Sequence, residues 1–137
     1  MAQPNGLNPE FDALTTVAQE VTPDDAQGTG NSIQAGKVSV SVGANTNDTD
    51  DFIVLPSLAD VPAGHKITVI SNSAGHEVRT PADSDEEINS ENSDGTNEYA
   101  IASGGQIHTF TKIDDTIGWM GQGFTAIGAV VTAVVPD

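Results

Sequence analysis

From Asp51 to Trp119 the chain is cut into short apolar runs by clusters of Pro, Gly, Asn and Asp. That punctuation is the signature of β-strands joined by turns, and it constrains the fold more than any other feature. Residues 37–42 alternate strictly, with Val38, Val40 and Val42 on one face of a strand. Residues 52–55 are continuously apolar, which suits a strand covered on both faces, and Pro56 stops its pairing. A turn at residues 72–75 predicts a hairpin between 67–70 and 76–80. Further strands are expected at 97–102, 106–113 and 117–122, with Asp114 and Asp115 turning between the last two. Residues 125–135 are small and apolar on both faces. Such a strand must be covered on both sides, as a central strand or at a subunit interface formed by Ile127, Val130, Val131 and Val134. The expected fold is all-β: an antiparallel β-sandwich or barrel of about eight strands.

The N-terminal part reads differently. Asn8 suits a helix cap, Pro9 the first helical position, and Glu10 and Asp12 the positive end. Phe11, Leu14, Ala18 and Val21 then share one face of a short helix, which either packs on its own domain or docks on a neighbour. Residues 26–36 have linker composition. Gly28 and Gly30 superficially suggest a phosphate loop, but the lysine and the preceding buried strand are missing. The division expected is an arm and linker over residues 1–35 and a β-domain over 36–137.

Twenty acidic residues face four basic ones, for a formal net charge of −16. A phosphate backbone needs clustered Lys and Arg, so nucleic acid is not an expected partner, and an anionic membrane surface would repel the chain. Acidity on this scale keeps an exterior solvated and suits a saline setting, where repulsion is screened. Without cysteine there is no disulfide framework or thiolate site. The N-terminus lacks the basic region and apolar run of a signal peptide, and no apolar stretch reaches membrane-spanning length.

Candidate chemistry is sparse. His65, His76 and His108 stand in unlike contexts and form no zinc-binding spacing. The carboxylates of residues 48–51 and 83–87 are the right ligand type for calcium. However, the second cluster has Ile88 where a calcium loop needs glycine, and its flanks read as strands, so a solvated acidic loop with Ile88 turned inward is expected. There is no Gly-x-Ser-x-Gly elbow, and six aromatics give little from which to line a sugar cleft. Trp119 is expected in the core. No cofactor and no catalysis are expected.

The pattern Val54-Leu55-Pro56, Gly64, Ile67 to Asn72, Pro81, Ile88-Asn89, Gly104-Gly105, Phe110 and Gly118-Trp119 resembles the small β-modules of tailed-phage virion proteins, namely capsid decoration (cement) and head-fibre proteins. The resemblance covers roughly half the chain. It implies a non-enzymatic homotrimer on the outer surface of the virion capsid, with the major capsid protein as partner. By position, the N-terminal segment would reach the shell through Leu7, Phe11, Leu14, Val17, Ala18 and Val21. A receptor- or carbohydrate-binding module of a viral fibre or spike is the alternative, although a fibre fragment usually belongs to a longer chain with a shaft.

Overall fold

The computed structural model describes residues 17–44, 49–72, 75–95, 97–132, 134 and 136. Ten strands form among them: β1 (Ala18–Val21), β2 (Ser39–Val42), β3 (Phe52–Val54), β4 (Lys66–Ser71), β5 (His76–Arg79), β6 (Glu87–Ile88), β7 (Glu91–Asn92), β8 (Tyr99–Ile101), β9 (Gln106–Asp114) and β10 (Gly118–Phe124). A single 3₁₀ turn at Leu58–Asp60 is the only helical element among the described residues. The protein is all-β, as expected.

Seven strands make one sheet in the order β1-β2-β4-β9-β10-β6-β7, and three make another in the order β3-β5-β8. The chain passes repeatedly from one sheet to the other. After β2 it makes β3 in the small sheet, returns for β4, then crosses again for β5. Leaving a sheet and coming back lets the next strand run in the same direction as the last. Accordingly β1 with β2, β2 with β4, β3 with β5 and β6 with β10 pair in parallel, whereas β4 with β9 and β9 with β10 are antiparallel. The expectation of a purely antiparallel fold is corrected on this point. So is the hairpin at residues 67–80: β4 and β5 lie in different sheets, and the turn between them is a crossing.

One buried cluster draws side chains from both sheets, including Val40, Val42, Ile67, Val69, Phe110 and Trp119 from the large one and Ile53, Val78, Tyr99 and Ile101 from the small one. Residues 52–56 are all buried, which accounts for their unbroken apolar run. Trp119 is fully buried, as its sequence context suggested.

The arm and its boundary need correction. Residues 18–21, read as the end of a helix, form strand β1, and Val21 sits in the core at 1% exposure. The strand pairs in parallel with β2 of its own chain. The linker is also part of the domain. Asp24 bridges Phe52, Ser32 bridges Val54, and Asn31 and Ile33 are buried. Asn31 Nδ2 donates to the carbonyls of Ala26 and Phe52 at 3.0 Å each. Glycines at 28 and 30 therefore belong to a loop laid across β3, and the β-domain begins no later than residue 17. Leu7, Phe11 and Leu14 lie outside the described residues.

The C-terminal stretch differs as well. After β10 the chain turns back, with Thr125 N donating to Ala129 O (2.8 Å) and a bridge between Phe124 and Val130, and forms no long central strand over residues 125–132. Ile127 is 92% exposed and Val130 65%. Val131 is half-buried and Val134 packs partly against the core of its own chain.

Candidate interaction surface

Strict alternation along β4, β9 and β10 sorts their side chains onto two faces. Ile67, Val69 and Ser71, then His108, Phe110 and Lys112, then Trp119, face the interior, and all are buried. Their neighbours in sequence make the outer face. Register fixes that face in rows. Ser41, Ile70, Ile107 and Phe124 lie side by side across β2, β4, β9 and β10, followed by Ser39, Thr68, Thr109 and Gln122, then by Lys66, Thr111 and Met120. Directly opposed residues stand about 5 Å apart at Cβ, so each row is a continuous contact.

Apart from Ser41, the first row is apolar and open to solvent: Ile70 is 36% exposed, Ile107 43% and Phe124 39%, with Met120 at 47% two rows away. None of these outward positions on β2, β4, β9 and β10 carries a carboxylate. The acidic residues resume at the margins, with Glu20 outward on β1 and Glu87 on β6. Lys66 is the one charge on the four-strand window. A shallow groove of about 380 Å³ runs between Lys66, Thr109, Thr111, Met120 and Phe124. In a chain of net charge −16, this is a carboxylate-free, partly apolar surface carrying a single cation.

Two glycines keep the inner side of β10 tight. A Cβ on Gly121 would lie 2.7 Å from Tyr99 Cε2, and one on Gly123 would collide with the His108 ring. These residues let the buried rings press against the β10 backbone. The β9–β10 turn is set by Asp114, whose carboxylate accepts from the N–H groups of Thr116 (2.8 Å) and Ile117 (2.6 Å). Those bonds hold its carboxyl below the usual range.

The histidines do not converge. His65 is half-buried, its Nε2 3.0 Å from Lys37 O. His108 is enclosed: Nε2 lies 2.7 Å from Gln106 Oε1 and Nδ1 2.6 Å from Tyr99 Oη. An amide oxygen only accepts, so Nε2 carries the proton and Nδ1 receives the Tyr99 hydroxyl. Burial lowers the His108 pKa to about 4, with His76 nearby adding to the effect. His76 follows the same logic, with Nδ1 facing Glu77 O (3.2 Å) and Nε2 facing Ser71 Oγ (3.1 Å), and burial lowers its pKa too. The Ser71–His76 pair has nucleophile–base spacing, but Ser71 is fully buried and a substrate could not reach its hydroxyl. A depression of about 240 Å³ borders His76 without including Ser71.

Two cations, Lys112 and Arg79, serve the fold. Lys112 Nζ, buried, donates to Leu58 O (2.6 Å) and Val61 O (2.8 Å) and pairs with Asp115. Arg79 stacks 4.0 Å over the Phe52 ring and pairs with Glu77 and Glu98. In the acidic loop, Ile88 is fully buried as expected, and Asp85 and Asp94 are engaged by the loop itself, through Asn92 Nδ2 and the Asp85 N–H. Among the described residues, no group of three His, Cys, Asp or Glu side chains is placed to hold a metal ion.

No family model, curated protein or solved structure matches this chain. The outer face was not singled out from the sequence, although the signal was present. Ile70, Ile107, Met120 and Phe124 occupy the alternate positions that a one-sided sheet would normally make polar.

Proposed function

We propose that this chain is a structural virion protein that decorates the outer surface of a viral capsid, bound to the major capsid protein as a homotrimer and without catalysis. In this reading the two sheets pack as a β-sandwich that presents attachment surfaces. The observation that carries it is the flat, carboxylate-free outer face of β2, β4, β9 and β10 in an otherwise strongly acidic chain. A broad sheet face with exposed apolar rows and no carboxylate suits association between proteins. The resemblance of residues 54–119 to phage decoration modules supplies the setting. Many copies on one shell would multiply modest individual contacts. Leu7, Phe11, Leu14, Val17 and Ala18 remain the proposed capsid contacts, and Val21 leaves that set because it is buried.

The groove beside Lys66, Thr109, Thr111 and Gln122 favours a second reading, a carbohydrate- or receptor-binding module of a fibre or spike, since hydroxyl, amide and ammonium groups converge there. Co-sedimentation with tailed-phage capsids, run beside a glycan-binding screen, separates the two. Capsid pelleting without glycan binding supports decoration; glycan binding without pelleting supports the fibre module and removes the first reading.

A further inference from the structure

We infer that the outer face of β2, β4, β9 and β10, extended by the exposed turn-back after β10, is the surface on which a second copy of this chain docks. The inference rests on the reading that the protein works as an oligomer, and goes beyond it by naming the surface.

Charge selects the occupant. Chains of net charge −16 repel one another, and contact through most of the surface would set carboxylates against carboxylates. The outer rows of β2, β4, β9 and β10 escape that penalty, because Glu20 and Glu87 stand only at their margins. A basic partner would be drawn to the acidic remainder instead. What this face fits is another carboxylate-free face carrying apolar rows, and a second copy supplies one.

Area points the same way. Counting the width of each, the four strands from β2 to β10 cover about 20 Å and three rows spaced two residues apart cover a similar length, which gives roughly 400 Å² per copy. Stable interfaces need about 600 Å² or more per partner. The sheet alone falls short. The turn-back makes up the difference. It is joined to the end of β10 by the Phe124–Val130 bridge and by Val131 N to Gly123 O (2.9 Å), and it exposes Ile127 at 92% and Val130 at 65%. Two of the four residues expected at an interface, Ile127 and Val130, thus extend the sheet's apolar first row, while Val134 turns back onto its own core.

The test places a carboxylate at the middle of the face, in Thr109→Glu and separately in Met120→Glu, with Ala59→Glu on the remote 3₁₀ turn as control. All three side chains point outward, and fluorescence of the buried Trp119 reports whether each variant is folded. Sedimentation equilibrium of the full chain in molar sodium chloride is expected to show an oligomer for wild type and Ala59→Glu. For each of the two face variants, the dissociation constant should rise at least about 100-fold. Folded face variants that assemble as tightly as wild type would overturn the inference while leaving the oligomer intact. A wild type that stays monomeric at every concentration would overturn the oligomer reading itself.

Discussion

Lowering the pH from 7 to 5 should destabilise the fold through His108. In the folded chain Nδ1 accepts the Tyr99 hydroxyl and Nε2 donates to Gln106, so both ring nitrogens are occupied with the ring neutral. The ring is fully buried, and its pKa falls to about 4 from 6.5. The unfolded chain therefore takes up a proton as the pH drops through 6.5, while the folded chain resists until about 4. Stability from this group is complete above 6.5 and lost as the pH falls. Tenfold in proton affinity is worth about 1.4 kcal/mol, so the full effect is about 3 kcal/mol, of which about 2 kcal/mol is lost between pH 7 and pH 5. His76, also lowered by burial, adds to the loss. Urea unfolding followed by Trp119, the only tryptophan, measures the slope directly. His108→Gln should be less stable at pH 7 yet flatter between 7 and 5. A wild-type stability independent of pH there, or an unchanged slope in His108→Gln, would refute the argument.

Other expectations concern separate parts of the molecule. Gly123→Ala should cost about 1–3 kcal/mol in urea unfolding, because its methyl meets the buried His108 ring. Lys112→Met should cost about 1–3 kcal/mol by orphaning the carbonyl of Val61 and leaving that of Leu58 only the long bond from Val61 N–H (3.4 Å); a loss under 1 kcal/mol would mean that water reaches them. Melting temperature should rise with sodium chloride as the Debye length shrinks from about 30 Å at 0.01 M to about 3 Å at 1 M. Calcium at matched ionic strength should add nothing, and a specific calcium increment would reveal a cation site. Deleting residues 2–16, which stops short of β1, should leave thermal unfolding cooperative but abolish particle binding; unchanged occupancy would mean that the β-domain grips the shell.

What could be read from the sequence was local. The strands 52–54, 66–71, 106–114 and 118–124, the Asp114–Asp115 turn and the inward Ile88 all follow from alternation and turn chemistry among near neighbours. What could not be read was pairing. Asn72 and Gly75 look like a hairpin turn whether the chain folds back within a sheet or crosses to another, and only the partners β9 and β8 distinguish the two. Parallel pairing of β1 with β2 depends on contacts some twenty residues apart, which no local period records. Phe11, Leu14, Ala18 and Val21 match a helical period, yet Val21 alone of β1 reaches the core and the β2 edge captures the segment as a strand. Hydrophobicity alone suggests a strand over residues 125–135, but Gly128, at φ 82°, turns the chain back. For the outer face, the residues were legible, but their assembly into one surface required the register of four strands.

The most direct test of the central proposal is electron cryomicroscopy of tailed-phage capsids incubated with the full chain in molar salt. Decoration predicts added density at regularly repeated positions on the outer shell, of a size matching several copies of the β-domain. Bare shells, with all of the protein left in the supernatant, would contradict it.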